Sequence, residues 1–232
     1  MSTYLKFVLV SALIMCGARA IAADVTGYVA IASDYVKRGV TQSGGDPAVQ
    51  LGVDFAFTGG FFAGAWGSTI DIDNGQSRRR DNEVNYYVGY THDVSEVWRV
   101  TANVVAYRYP GQTGGVDYNY LEYSAGLSFD DCLWLEYSLS PDLYNTGLSS
   151  RNVDSYLEWP VNSTWAMGGG VGYYDTSKLT ESAYWYWHLG ATGSFKYVDV
   201  DIRFHDSSRW VFIISTPDRA AGRVALTVRF PF

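Results

Sequence analysis

The stretch RVALTVRFPF, Arg223 to Phe232, alternates polar and apolar residue by residue and stops on a bare aromatic. Val224, Leu226, Val228, Phe230 and Phe232 share one face, and Arg223, Ala225, Thr227 and Arg229 share the other. A period of two marks a strand with one apolar side. The pattern recurs along the chain in segments of about ten residues, the length a tilted strand needs to cross a bilayer. They read as 25–36, 48–58, 61–70, 83–92, 97–109, 118–129, 132–142, 152–160, 164–174, 183–193, 196–206 and 222–232. The connections alternate short and long. Gly59-Gly60, DVSE, Asp130-Asp131, VNS and GSF stand against RGVTQSGGDP, DIDNGQSRRRDN, PGQTGGVD, LYNTGLSSR, DTSKLTES and the stretch after Asp206. Tight turns at one end and longer loops at the other describe an up-and-down antiparallel sheet, and closure into a barrel removes its edges.

Charge respects the alternation. Asp34 opposes Val25, Val29 and Ile31, and Asp54 opposes Val49, Leu51, Val53, Phe55 and Phe57. Glu83, Arg99, Glu122 and Glu136 each oppose the apolar series of their own segment, as do Asp154 and Glu158. Asp199, Asp201 and Arg203 oppose Val198, Val200, Ile202 and Phe204, while Arg223 and Arg229 oppose the C-terminal series. Arg108, near a predicted strand end, is the exception.

Parity alone does not say which face is inside, since a soluble barrel is apolar within and charged without. The polar face is poor in lysine, which a water-facing surface carries in quantity. Bulky aromatics sit near strand ends, and Phe230 and Phe232 stand where barrel-assembly machinery reads a C-terminal aromatic. The expected fold is therefore all-β: a closed antiparallel transmembrane β-barrel of about 12 strands over residues 24–232, with both termini periplasmic.

The N-terminus supports export. Residues 1–23 carry Lys6, an apolar run from Phe7 to Met15 and then small residues, the order of a cleaved secretory signal peptide. The run is short for a membrane anchor, and Met15 is a poor neighbour for a lipidated Cys16. Cleavage leaves 209 residues with Cys132 as the sole cysteine, so no internal disulfide forms. With Lys6 and Arg19 gone, 15 basic residues face 24 acidic ones, a net charge of −9. Such a chain lacks the basic face that nucleic acid requires. Aromatics make up 16% of the sequence, with 19 Tyr and 8 Trp, and the barrel reading assigns them to girdles at the two lipid–water boundaries.

The stretch SDYVKRGVTQSGGDPAVQLGVDFAF, followed by GFFAGAWGSTID, resembles the amino-terminal signature of the TorF-type porin family of proteobacteria. The matching positions include Ser33, Asp34, Tyr35, Arg38, Gly39, Gln42, Gly45, Asp46, Pro47, Gly60, Phe61, Gly64 and Trp66. Lys37 departs from the family, standing where an aromatic is expected. YWYWHLGATGSFKYVDVDIRFHDS resembles the family's late hairpin. The resemblance implies an outer-membrane barrel of a Gram-negative bacterium that passes solutes, and names no substrate.

On this reading the thirteen charged residues line the lumen. Glu122, Glu136, Asp154 and Glu158 lie on one wall and Arg203, Arg223 and Arg229 on the wall opposite, so a transverse field would orient dipolar solutes. The alternative is that these charges pair across the lumen and plug it. The expected function is passive diffusion of small polar or charged solutes, with no cofactor or metal. A non-conducting structural or receptor barrel is the second reading. A third is an outer-membrane lipid deacylase, since His205 and Ser207 share a face in RFHDSS; no orienting acid or oxyanion hole accompanies them. His188 near His205 is a weak metal signal. DIDNG opens like a calcium loop but lacks the remaining ligand spacing. Arg78, Arg79 and Arg80 fall in a predicted outer loop where they could meet lipopolysaccharide phosphates. The apolar run 210–214 suits neither loop nor turn.

Overall fold

The computed structural model describes residues 23–73, 78–111, 117–208 and 219–232. In chain order the strands are β1 (Ala23–Ala32), β2 (Val36–Lys37), β3 (Val40–Thr41), β4 (Ala48–Phe57), β5 (Phe61–Asp73), β6 (Arg78–Asp93) and β7 (Trp98–Arg108). They continue as β8 (Tyr120–Phe129), β9 (Leu133–Ser140), β10 (Ser150–Pro160), β11 (Trp165–Asp175), β12 (Ala183–Ser194), β13 (Asp199–Ser207) and β14 (Arg223–Pro231). All but β2 and β3 form one closed antiparallel barrel of twelve strands, each paired with its sequence neighbour. β14 returns to β1 with Phe230 opposite Val29, which closes the wall. Ala23 and Phe232 lie at the end that carries the short turns, because Ala23 pairs with Phe57 beside the Gly59-Gly60 turn.

Each predicted segment contains one wall strand, with three departures. The first strand ends at Ala32 rather than residue 36, because the chain turns into the lumen there. Asp34 anchors that turn, accepting hydrogen bonds from Thr41, from Ser43 Oγ at 2.9 Å and from Arg223 Nη1 at 2.9 Å. The predicted loop DIDNGQSRRRDN is instead largely strand: Asp71, Ile72 and Asp73 stand opposite Arg80, Arg79 and Arg78 in the ladder that prolongs β5 and β6. The eleventh wall strand starts at Asp199, three residues late. Residues 1–22 and the run 210–214 lie outside the described residues.

The apolar face is the outer one. Val25, Val224 and Trp159 are 56%, 63% and 65% exposed, whereas Glu83 and Glu122 retain 1% and 3%. A barrel built for water has the opposite arrangement, so the sidedness that parity leaves open is fixed by the closed geometry. Arg108 faces outward at the long-loop end of β7, as its parity requires.

The terminal aromatic has a seat. Gly27 N–H donates to the Phe232 carbonyl at 3.0 Å and Phe232 N–H to the Gly27 carbonyl at 2.9 Å. A Cβ on Gly27 would stand 2.7 Å from the Phe232 ring, so the bare glycine lets that ring lie on the wall.

Candidate functional site

The lumen holds a structure that sequence reading assigned to an outer loop. β2 and β3 form a hairpin whose two turn residues, Arg38 and Gly39, have φ of 50° and 74°. Positive φ at both central positions is the primed turn that suits the twist of paired strands. Gly39 is required there: besides its φ, a Cβ would sit 2.8 Å from Tyr186 Cβ on β12. The tip therefore abuts the β12–β13 wall.

The same hairpin reaches the opposite wall through its cations. Arg38 Nη1 and Nη2 donate to Glu122 Oε2 and Oε1 on β8 at 3.0 and 2.9 Å, the bidentate geometry that guanidinium and carboxylate share. Its guanidinium also lies 4.6 Å over the Tyr174 ring on β11. Lys37 Nζ is 3.8 Å from Glu83 on β6 and 3.7 Å over the Tyr107 ring on β7. Burial pushes the Lys37 ammonium below the usual lysine range, with Glu83 opposing that shift. Burial works against the Arg38 charge as well, but Glu122, Tyr174 and Tyr107 together offset it and hold that guanidinium above its ordinary value.

Tyrosines fill the space around the hairpin. Tyr107, Tyr109 and Tyr120 cluster with Ile70 and the fully buried Leu143, and Tyr174, Tyr184 and Tyr186 cluster with Val40. This corrects the assignment of the aromatics to girdles alone. Trp98, Trp159, Trp165 and Trp185 do face outward, but these six tyrosines lie inside. The signal was available in parity: Tyr120 shares the face of Glu122, and Tyr184 and Tyr186 share that of His188.

Below the hairpin, toward the short turns, lies a cavity of about 1010 Å³. Asp34, Tyr35 and Val36 bound it at the hairpin, and Asp130, Asp131 and Thr164 bound it at the short-turn rim. The predicted lumen residues divide between the two levels. Glu83, Glu122, Asp34 and Arg223 hold the hairpin level. Asp54 lies nearer the short turns, on β4 between Thr26 and Gly64, and accepts a hydrogen bond from Tyr87. Asp154, Glu158, Asp201, Arg203 and Arg229 line the cavity. Glu136 stands opposite Asp154 in register, and Asp199 is buried opposite Arg229. Arg99 bridges Asp93 and Asp131 at 2.5 and 2.8 Å, which places it at the short-turn rim.

Pairing modifies the expected opposition of walls. Arg203 pairs with Asp201 at 2.8 Å and Arg223 with Asp34 at 2.9 Å, each on its own side of the barrel, while Arg38 neutralises Glu122 across the lumen. Glu136, Asp154 and Glu158, on the β9–β10 wall, are hydrogen-bonded by neutral Ser138, Tyr186 and Tyr156. Lys37 and Arg38 were missed because the hairpin's run into the lumen is a tertiary event with no local period.

The remaining sequence candidates fall as follows. His205 faces the cavity opposite His188, ring centroids 5.6 Å apart, and Ser207 Oγ donates to the Ala220 carbonyl at 3.0 Å. The pair is lumenal rather than lipid-facing. Asp71 is ion-paired with Arg219 at 3.1 Å, Arg79 with Asp81 at 2.6 Å and Arg80 with Asp46 at 3.6 Å. Among the described residues no group of three or more His, Cys, Asp and Glu side chains has metal-binding geometry.

Comparison with known proteins gives a family and a fold. A family described as a bacterial protein of unknown function, Gcw_chp, matches residues 18–211. No curated protein matches the chain. Among solved structures, the NanC porin superposes with a TM-score of 0.59 at 12% identity over 90% of this chain and 99% of that one. A KdgM porin in complex with disordered oligogalacturonate gives 0.56 at 11% identity, again over 90% and 99%. An outer membrane channel from Pseudomonas putida F1 gives 0.53 at 10% identity over 95% and 96%.

Proposed function

The chain belongs to the Gcw_chp family, and from that premise we propose that it is an outer-membrane channel for small polar or charged solutes, constricted by its own β2–β3 hairpin. One observation carries the reading. An apolar outer wall encloses a polar lumen whose cavity of about 1010 Å³ reaches the short-turn rim and ends at the hairpin. Lipid is the solvent that suits such a wall, because a closed barrel leaves no backbone group unpaired. The TorF-type resemblance and the porin-like fold support the same function. The export signal in residues 1–23, periplasmic termini, recognition of Phe230 and Phe232 by assembly machinery, and lipopolysaccharide contact by the exposed Arg80 complete the proposal.

The cavity lining holds six carboxylates, Asp34, Asp130, Asp131, Asp154, Glu158 and Asp201, against Arg203 and Arg229, and Arg223 and Arg99 pair with Asp34 and Asp131 from its edges, which still leaves acid in excess. Polyanions therefore meet repulsion, and cations are favoured. In planar bilayers the refolded protein should give discrete conductance steps with a cation-selective reversal potential. The double variant Glu136→Lys/Glu158→Lys should move that potential toward anions. Discrete steps with no response to this variant would remove the β9–β10 wall from the ion path. The hairpin itself favours a second reading, a non-conducting receptor or structural barrel, which a folded, inserted protein with no conductance would support.

A further inference from the structure

β11 turns three consecutive inward positions over to glycine: Gly168, Gly170 and Gly172. Their bareness shapes the wall. A Cβ at Gly168 would stand 2.5 Å from the Tyr156 hydroxyl, and one at Gly170 would stand 2.6 Å from His188 Nε2. The neighbouring strands therefore lay their rings across β11 instead of pointing them into the lumen. Tyr156 and His188 lie 5.5 Å apart at 28°, and His188 and His205 lie 5.6 Å apart at 38°. The result is a shallow, nearly continuous surface of flat groups along β10 to β13, all of it lining the cavity. A second platform repeats the device across β4. Gly52 stands between Tyr28 and Trp66 in register, and a Cβ there would meet the Tyr28 ring at 2.6 Å.

Charge chooses among the ligands that could lie on such surfaces. An anion meets the six carboxylates of the lining. A cation is repelled by the guanidinium groups already beside these rings, Arg229 at 4.4 Å from the Tyr28 centroid and Arg203 at 5.6 Å from that of Tyr156. A neutral ring-shaped polyol has neither difficulty. Its apolar C–H face stacks on flat side chains, and its hydroxyls both donate and accept. They can donate to Asp154 and Glu158 and accept from Arg203, whose guanidinium is held by Asp201 at 2.8 Å and touches His188 Nδ1 at 3.0 Å. The cavity is at the upper end of the volumes usual for small-ligand sites, about 300–1,000 Å³, which accommodates a short oligomer. We propose that the glycine-floored surface of Tyr156, His188 and His205 is a binding subsite for neutral saccharides. The proposal rests on the channel reading above and names its solute class.

Binding is measured apart from transport. The full-length mature protein, folded in detergent, is titrated calorimetrically with maltotriose and with cellotriose, and in parallel with sorbitol, which has hydroxyls but no ring, and with trigalacturonate. Saturable binding of at least one neutral trisaccharide is expected, with none for sorbitol and at least tenfold weaker binding of trigalacturonate. Tyr156→Ala should weaken that binding at least tenfold, whereas Tyr156→Phe, which keeps the ring and loses the bond to Glu158, should stay within about threefold. Gly170→Leu, which pushes the His188 ring off its floor, should also abolish it, with folding checked by heat-modifiable gel mobility. No binding of either trisaccharide to the folded wild type, or tighter binding of trigalacturonate, would overturn the saccharide subsite. If conductance steps appear without saccharide binding, the channel stands and the subsite fails. If binding appears without conductance, the subsite stands and the channel reading fails.

Discussion

In the long-loop half of the lumen, Arg38 and Lys37 are buried against Glu122, Glu83 and a crowd of tyrosines, and a hairpin crosses from wall to wall. In the short-turn half the pair Asp201–Arg203 looks onto a cavity of about 1010 Å³. The same strands run through both halves and the same parity points acids inward along their whole length. The difference comes from what fills the space between them. Where the chain folds inward, each acid it covers must be matched by a cation or a hydroxyl, because an unpaired buried charge is costly. Where it does not, the acid stays open to the cavity: Arg203 and Arg38 are equally covered, but Asp201 keeps 27% of its side chain exposed against 4% for Glu122, and the pair is worth less. Similar contacts therefore carry different energies at two levels of one barrel.

Three substitutions sharpen that contrast. Arg38→Ala should cost the most, about 3–5 kcal/mol, since it strips the bidentate partner from a buried Glu122; urea unfolding of the protein in lipid vesicles reads it. A drop below about 1 kcal/mol would mean that water already reaches Glu122. Gly39→Ala comes next, at about 1–3 kcal/mol, because the added methyl meets Tyr186 at a positive φ. The same unfolding assay applies, and an unchanged midpoint would show the hairpin tip is not seated on β12. Arg203→Ala should cost least, about 1 kcal/mol or less, since its pair with Asp201 faces the cavity. Its signature lies elsewhere: reversal potentials should move further toward cations, and a loss of stability matching that of Arg38→Ala would erase the distinction between the two halves.

Much of the fold was legible because a barrel wall is written locally. RVALTVRFPF, LWLEYSLS and VDVDIRF each display their two faces within one strand, and the alternation of short and long connections gives the meander. Sidedness was legible only by indirect signs, since Val224 and Arg229 show the same parity in a soluble barrel. Two things escaped. RGVTQSGGDP reads as an ordinary polar loop, and nothing in it announces that Arg38 will find Glu122, 84 residues away. The inward tyrosines were overlooked because a phenol suits a girdle and a lumen equally; Tyr107 is assigned only by counting from Arg99. Parity nominates the acids of the wall strands, but Asp34 lies past the end of β1, and the partition between a sealed level and a cavity depends on the hairpin.

The central claim is that the hairpin, and not the barrel wall, sets the width of the lumen. Single-channel conductance of the wild type beside the Lys37→Ala/Arg38→Ala variant, in the same bilayers and salt, tests it most directly. Loss of both tethers should raise conductance several-fold and make the steps noisier as the hairpin leaves its seat. Equal conductance from a variant whose barrel is folded and inserted would contradict the account and return the constriction to the wall.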